Sequence, residues 1–334
     1  MNSAATVCVV IAARNAAATI GRAVRSALRE KRVSEVVVID DASTDSTAEA
    51  AFAADDGSGR LRASRLSDNR GPAFARNHAI AHSAAPMIAI LDADDFFLEG
   101  RFDRLLGKDD WDFVADNIVF VDEADAGRTD LRVPDFEAAP RFLGLPDFVQ
   151  GNISRRGAPR GETGFLKPVM RRTFLDRHGL RYDERLRLGE DYDLYARSLA
   201  KGARFKIVHG CGYGAVVRAD SLSGRHRTPD LKHLYEADRA ILALPEVSGE
   251  AQKALRRHER HIRARYELRR FLDVKAGAGL AGAGLHALAR PAALPAIVAG
   301  VAADKFDALK AKIRPAGRKI EPRRYLLEAR AVQK

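Results

Sequence analysis

Met87-Ile88-Ala89-Ile90-Leu91-Asp92-Ala93-Asp94-Asp95 joins an unbroken apolar run to three carboxylates. Apolar residues at every position, rather than at alternate ones, describe a strand buried on both faces. Carboxylates gathered at its end are hard oxygen ligands of the kind Mg2+ or Mn2+ takes, and such a cation suits a diphosphate. A solvated turn or a helix N-cap would also use such residues. The ligand reading gains from a second pair, Asp40-Asp41, which ends the run Val36-Val37-Val38-Ile39 in the same way.

Outward from these two runs the first 125 residues alternate strand and helix patterns. Strands are expected at Val7 to Ala12, Glu35 to Ile39, Leu61 to Leu66, Met87 to Leu91 and Asp112 to Val121, and helices near Ala18 to Arg29, Ser46 to Ala54, Pro72 to His82 and Leu98 to Leu106. This βαβ rhythm predicts a mainly parallel α/β sheet flanked by helices. Such sheets bind ligands beyond the carboxyl ends of their strands, where Arg14, Asn15, Asp40, Asp41, Asp92, Asp94 and Asp95 all fall. Ser43 or Thr44 is placed to cap the helix that follows Asp41. Gly71-Pro72 opens another helix with Arg76 and Asn77 one turn in, an arrangement able to hold a phosphate or to order the acidic loop.

Composition bounds the class. The chain has 334 residues, 46% hydrophobic and 30% charged, which suits folded domains and excludes disorder. Cys8 and Cys211 lack CxxC spacing, so neither a disulfide framework nor a zinc site is indicated. With no basic leader before the first strand, a cytoplasmic protein is expected.

Charge is unevenly distributed. Residues 229 to 334 hold 22 Lys and Arg against 12 Asp and Glu, whereas residues 1 to 228 hold 34 against 33. The basic third also carries the apolar stretch Ala276 to Ala303, interrupted by His286, Arg290, Pro291 and Pro295, so no uncharged span is long enough for a transmembrane helix. An interfacial segment drawn to anionic lipid at the inner face of the plasma membrane and a helical hairpin packed on the main domain both fit.

Ala12-Ala13-Arg14-Asn15, Val38-Ile39-Asp40-Asp41-Ala42-Ser43-Thr44-Asp45, Asn69-Arg70-Gly71 with Ala75-Arg76-Asn77, Leu91-Asp92-Ala93-Asp94-Asp95 and the later Gly189-Glu190-Asp191-Tyr192-Asp193-Leu194 occur in that order. Together, over residues 5 to 225, they resemble a family 2 glycosyltransferase of the GT-A fold, most similar to nonprocessive bacterial enzymes of exopolysaccharide assembly. The resemblance implies a Rossmann-like nucleotide-binding sheet in residues 1–228, with a donor half 1–125 and an acceptor half 126–228, followed by a basic helical appendage 229–334. It implies that Ala12, Arg14, Asn15 and Asp40 or Asp41 face the base and ribose, and that Asp92-Ala93-Asp94 is the Asp-X-Asp motif, with Asp94 facing Mn2+ or Mg2+ and Asp95 beside it. Arg14 stands where the family usually has an aromatic residue, and stacking of its guanidinium on the base would replace that contact. The Gln-x-x-Arg-Trp motif of processive enzymes is absent, which implies one sugar per binding event.

A departing diphosphate gains charge that a metal can neutralise, and an acceptor hydroxyl needs a base to take its proton. Asp191, following Gly189 at a helix entrance, is the expected base, with Glu190 beside it on the acceptor side. First-turn acids favoured by the helix dipole would look the same. The loop Arg218 to Arg227, with Arg225 and His226, is placed to close over a diphosphate, and His226 is a further candidate metal ligand. The implied partners are a nucleoside diphosphate sugar, with UDP-glucose the expected donor, and a glycan or polyprenyl-diphosphate-linked acceptor, the transfer being inverting. A nucleotidyltransferase would carry a glycine-rich loop after the first strand, and Ala12 to Ile20 has no glycine. Nucleic-acid binding through Arg256 to Arg265 is weakened by the interleaved Glu259, and no nucleic-acid partner is expected.

Overall fold

The computed structural model describes residues 6–107, 110–126, 141–154, 162–217, 227–313 and 324–327. They fall into two compact units, one within Met1–Ser221 and Arg323–Lys334, the other within Leu222–Pro322.

In the first unit the chain runs β1 (Val7–Ala13), α1 (Ile20–Leu28), β2 (Val33–Asp40), α2 (Thr47–Phe52), β3 (Leu61–Arg65), α3 (Pro72–Ala81), β4 (Met87–Ile90), β5 (Phe96–Phe97), α4 (Arg101–Leu105) and β6 (Phe113–Asp122). It continues through β7 (Arg141–Leu143), α5 (Leu145–Gly151), β8 (Val169–Arg171), α6 (Arg172–Arg177), α7 (Glu190–Ala200) and β9 (Phe205–Val217). The second unit holds α8 (Thr228–Leu242), α9 (Gly249–Leu288) and α10 (Leu294–Ile313), and β10 (Arg324–Tyr325) belongs again to the first.

One sheet holds all ten strands, in the order β3-β2-β1-β4-β8-β6-β9-β5, with β10 on β6 and β7 on β9. The β3-β2-β1-β4 half is wholly parallel. Its inner strands β1 and β4 and the Val36–Ile39 part of β2 are apolar at successive positions, and β1, β4 and most of β2 are buried on both faces. Helix α1 covers it with Ile20, Ala23, Val24, Ala27 and Leu28, the spacing of one helical face. Parallel register carries the strand ends to one edge: Ala13 lies opposite Asp40, and the Leu91 N–H donates to the Val10 carbonyl at 3.0 Å. The two acidic clusters therefore share that rim.

The second half is mixed. β8 runs antiparallel to both β4 and β6, while β6 and β9 are parallel. β9 is longer than the run Gly214 to Val217 suggests, because Gly210, Gly212 and Gly214 dilute its pattern. Two of these glycines are required by close approach: a Cβ on Gly214 would collide with the Phe96 ring, and one on Gly212 with the Arg101 side chain. Asp122 to Arg160, which reads as a long loop, contains the short strand β7 and helix α5 among its described residues. The last residues depart from an all-helical appendage. β8 pairs with β6 only at Phe113 and Val114, leaving an edge further along at Val119 and Phe120 that β10 fills. Leu326 is buried there, and Asn117 exchanges hydrogen bonds with the Leu327 backbone.

In the second unit α8 and α9 pair through Leu231, Leu234, Tyr235 and Ile241 against Leu255, Ile262 and Tyr266, all buried. α9 breaks at Gly279, whose φ of 70° is left-handed. Among the described residues no single helix is long and apolar enough to cross a membrane. The pair Gly249–Leu288 and Pro291–Phe306 passes by length and composition only as a unit bent by 102°.

Candidate active site

The rim is organised by α3. Asp41 accepts the N–H of Arg70 at 2.7 Å and of Gly71 at 2.8 Å, one on each oxygen, and Gly71 turns the chain with a φ of 88° into Pro72. This fixes the start of the helix and so the position of Arg76 one turn later. Arg76 is buried and reaches Asp92 at 2.9 Å, Glu190 at 2.7 Å and Asp191 at 3.1 Å, with the Tyr182 ring 5.3 Å from its guanidinium carbon. Lys167, equally buried, lies 2.8 Å from the second oxygen of Asp92 and 2.8 Å from the second oxygen of Asp191.

Two carboxylates and two cations thus form a closed ring. Asp92 and Asp191 each place one oxygen on Arg76 and the other on Lys167, and Glu190 adds a third carboxylate. Asp92 alone keeps a third of its side chain exposed. Burial opposes its charge, but Lys167 and Arg76 outweigh that and bring its carboxyl down to about 2. Burial likewise opposes the Lys167 ammonium, while Asp191 and Asp92 hold it above the ordinary lysine range. Glu190 is pushed up by burial, against Arg76 and with Asp191 adding to the shift. Glu190 and Asp191 lie in the first turn of α7, entered through Gly189 at a φ of 83°. Buried Leu194 and Tyr195 seat that helix.

Lys167 is the participant that sequence reasoning missed. A lysine inside the apolar segment Phe165 to Met170, directly before Pro168, was the available signal, since a buried ammonium needs anionic partners. Its backbone is held in turn: the Lys167 carbonyl accepts Arg101 Nη2 at 2.5 Å.

Asp40, at the end of β2, accepts the Ser43 N–H at 2.9 Å and the Ser43 hydroxyl on one oxygen. Its other oxygen is buried without a hydrogen bond, 3.8 Å from Arg65 Nε. Ala12 lies half-buried near the end of β1, and Arg14 and Asn15 are exposed beyond it. Asn15 and Ala42 are the described non-glycine residues with left-handed backbone, at φ 49° and 54°. Hydrogen bonds hold this geometry, from Asn15 N–H to Ser43 Oγ at 2.9 Å and from Thr44 N–H to Asn15 Oδ1 at 2.8 Å. Strain of this kind concentrates at ligand sites.

Three expectations are revised. Helix α2 is not capped by Ser43 or Thr44, because these bond Asp40 and Asn15, and Asp45 instead accepts the Thr47 N–H at 3.1 Å. Asp41 is spent on the α3 amides rather than turned to a ribose. Asp95 does not suit the metal role: Tyr213 Oη donates to it at 2.7 Å and Val216 N–H at 2.8 Å. Burial, with Asp92 and Asp94 nearby, pushes its carboxyl well above the usual range, against those two bonds. The same tyrosine accepts the Asp92 N–H at 3.2 Å, so Asp95 and Tyr213 shape the acidic loop. Ala93 and Asp94 are half-buried in that loop, and the Asp94 carbonyl accepts Arg22 Nη2 at 2.7 Å. Arg225 and His226 lie outside the described residues.

Removing the Asp41 carboxylate should be felt as lost stability. Asp41→Ala frees two N–H groups at a helix start and is expected to lower stability by about 2 kcal/mol, seen as a fall in the midpoint of thermal unfolding. An unchanged midpoint would show that α3 is held by something else.

Among the described residues no three His, Cys, Asp or Glu side chains converge into a metal cage. That does not conflict with Mg2+ or Mn2+ shared with a diphosphate, which takes one or two protein carboxylates and fills its remaining positions with water and phosphate oxygens. Asp94 lies half-buried on the rim, in the loop that follows Asp92.

The parallel half of the sheet thus carries an acidic rim at its strand ends. Residues 8–177 match the glycosyl transferase family 2 model, and the chain belongs to that family as a glycosyltransferase. It is 61% identical over 329 residues to the succinoglycan biosynthesis protein ExoU of Rhizobium meliloti (strain 1021), covering 98% of this chain and 96% of that protein. It is 37% identical over 292 residues to the succinoglycan biosynthesis protein ExoO of the same strain, covering 85% and 82%. Among solved structures, S. aureus TarS 1-349 in complex with UDP-GlcNAc superposes with a TM-score of 0.56 at 20% identity, over 81% of this chain and 74% of that one. The UDP complex of the same fragment gives 0.53 at 21% identity, over 81% and 73%. At such identity the likeness carries the fold, which is GT-A.

Proposed function

We propose that this glycosyltransferase moves glucose from UDP-glucose to a hydroxyl of a lipid-linked or polymeric glycan, at the cytoplasmic face of the membrane, in assembly of an exopolysaccharide of the succinoglycan type. The observation that carries the reading is the ring in which Asp92, from the donor rim, and Asp191, from the α7 entrance, share Arg76 and Lys167. The two succinoglycan biosynthesis proteins support the product, and the UDP and UDP-GlcNAc complexes of TarS support a uridine diphosphate donor.

Each residue then has a task. The unbonded oxygen of Asp40 accepts a donor N–H from the base, and Arg14 lies over it. Asp94 would hold Mg2+ or Mn2+, and such an ion, when bound, neutralises charge on the departing diphosphate. Asp191 takes the proton of the acceptor hydroxyl as the sugar inverts in a single displacement. Arg76 and Lys167 keep the facing carboxylates ionised and fixed.

Radiolabelled UDP-glucose, UDP-galactose and UDP-GlcNAc offered with a polyprenyl-diphosphate oligosaccharide test the reading. Label is expected in the lipid fraction from UDP-glucose, and transfer only from another donor would overturn the sugar assignment. The role of Asp94 is testable separately. UDP with Mn2+ should raise the thermal midpoint of the native chain by mass action, and Asp94→Ala should abolish that rise while leaving the midpoint without ligand in place. An undiminished rise would remove Asp94 from the metal.

A further inference from the structure

The second unit leaves an apolar surface at its bent end. Of the eight large hydrophobic residues exposed among the described ones, five lie in α9 and α10 beyond Gly279: Leu280, Leu285, Leu288, Val298 and Phe306. The first three are more than 70% exposed. At 100° per residue they span an arc of about 140°, and Ala283 and Ala287, which border that arc next to Leu280, are buried, the latter against Ala293 and Ile297 of the return arm. The hairpin therefore closes through Ala287, Ala293 and Ile297 and leaves Leu280, Leu285 and Leu288 outward, the reverse of what burial favours in water for those leucines.

Charge within this surface is basic, and acidic residues stand only at its margins. From Val274 to Ala303 there is no acidic residue, Lys275 and Arg290 lie in the segment, and Lys305 follows it between Asp304 and Asp307. Lys275 and Lys305 are exposed. A second copy of the chain docking face to face would bring like charges together. The bend of 102° between the arms prevents a straight crossing of a bilayer, but a bent pair can lie in the plane of an interface with leucines among the acyl chains and lysines at the headgroups.

We propose that the bent α9–α10 hairpin docks the protein on an anionic lipid surface, with Leu280, Leu285 and Leu288 inserted and Lys275 and Lys305 on the headgroups. Each leucine contributes about tenfold to partitioning and each lysine about fivefold, the latter screened by salt.

Sedimentation of the full chain with vesicles tests this. Vesicles of phosphatidylcholine with phosphatidylglycerol are expected to carry the protein down and those of phosphatidylcholine alone to carry much less, with binding weakened by added salt. Leu280→Gln/Leu285→Gln/Leu288→Gln should lower partitioning by at least about a hundredfold, with Trp111 fluorescence and UDP-induced stabilisation unchanged. The proposal fails if the wild-type chain stays in the supernatant with phosphatidylglycerol vesicles, or if the triple variant sediments as the wild type does. It also fails if, without lipid, a dimer forms that the triple variant dissociates, since the face then belongs to a second copy.

Discussion

Asp191→Asn is expected to lower kcat about a thousandfold, within the usual range for loss of a general base, while UDP affinity stays within about twofold of the wild type. Asparagine keeps the shape of the side chain but cannot take a proton from a hydroxyl. One of its two terminal groups becomes an NH2 facing a cation, since Arg76 and Lys167 occupy opposite oxygens of Asp191. The ring loosens on that side, yet Asp92 still holds both cations at 2.9 and 2.8 Å. Donor binding, which the proposal assigns to Asp40 and Asp94, is expected to survive. Calorimetry with UDP and Mn2+, set beside single-turnover transfer, separates the effects. If Asp191→Asn loses UDP affinity as severely as Asp94→Ala, the division between donor site and proton acceptor is wrong.

What the sequence made legible was the half whose signals are local. β1, β2 and β4 carry apolar runs with punctuated ends and the flanking helices keep regular spacing, so these elements, with β3 and β6, fell within a few residues of their expected places. The acidic rim was legible for the same reason, because a carboxylate directly after a buried strand must lie at the sheet edge. Its division of labour was not. A carboxylate at a strand end can serve a ligand or a nearby amide equally well, and Asp41 and Asp95 turned out to serve amides and a tyrosine contributed by distant segments. Lys167 and its ring partners come from α3, the β4 loop, the approach to β8 and α7, so no spacing could have joined them. The mixed half of the sheet was obscured by β9, whose glycines weaken the strand pattern for the reason that makes them necessary, the passage of Phe96 and Arg101 across its face.

Arg101→Met is expected to destabilise the first unit by about 3–5 kcal/mol, the usual effect of breaking a buried ion pair from one side. Arg101 is fully buried and donates to Asp116 Oδ1 through Nε at 3.0 Å and Nη2 at 2.9 Å. The Phe97 and Tyr213 rings lie 4.9 and 5.4 Å from its guanidinium carbon. Methionine fills much of that volume but strands the Asp116 carboxylate, which is 2% exposed. Arg101→Met/Asp116→Leu removes both charges and should recover most of the loss, since an apolar pair in place of a buried ion pair is often neutral or better. Trp111, the single tryptophan of the chain and buried in this unit, reports its urea unfolding apart from the helical unit. The double variant then isolates a second effect. The Lys167 carbonyl still lacks the donor that Arg101 supplied, so the ammonium shared by Asp92 and Asp191 is less firmly placed, and transfer should remain slow although the fold is restored. Equal instability of single and double variants would show that the pair does not hold the fold, and full activity in the double variant would show that Lys167 is placed without it.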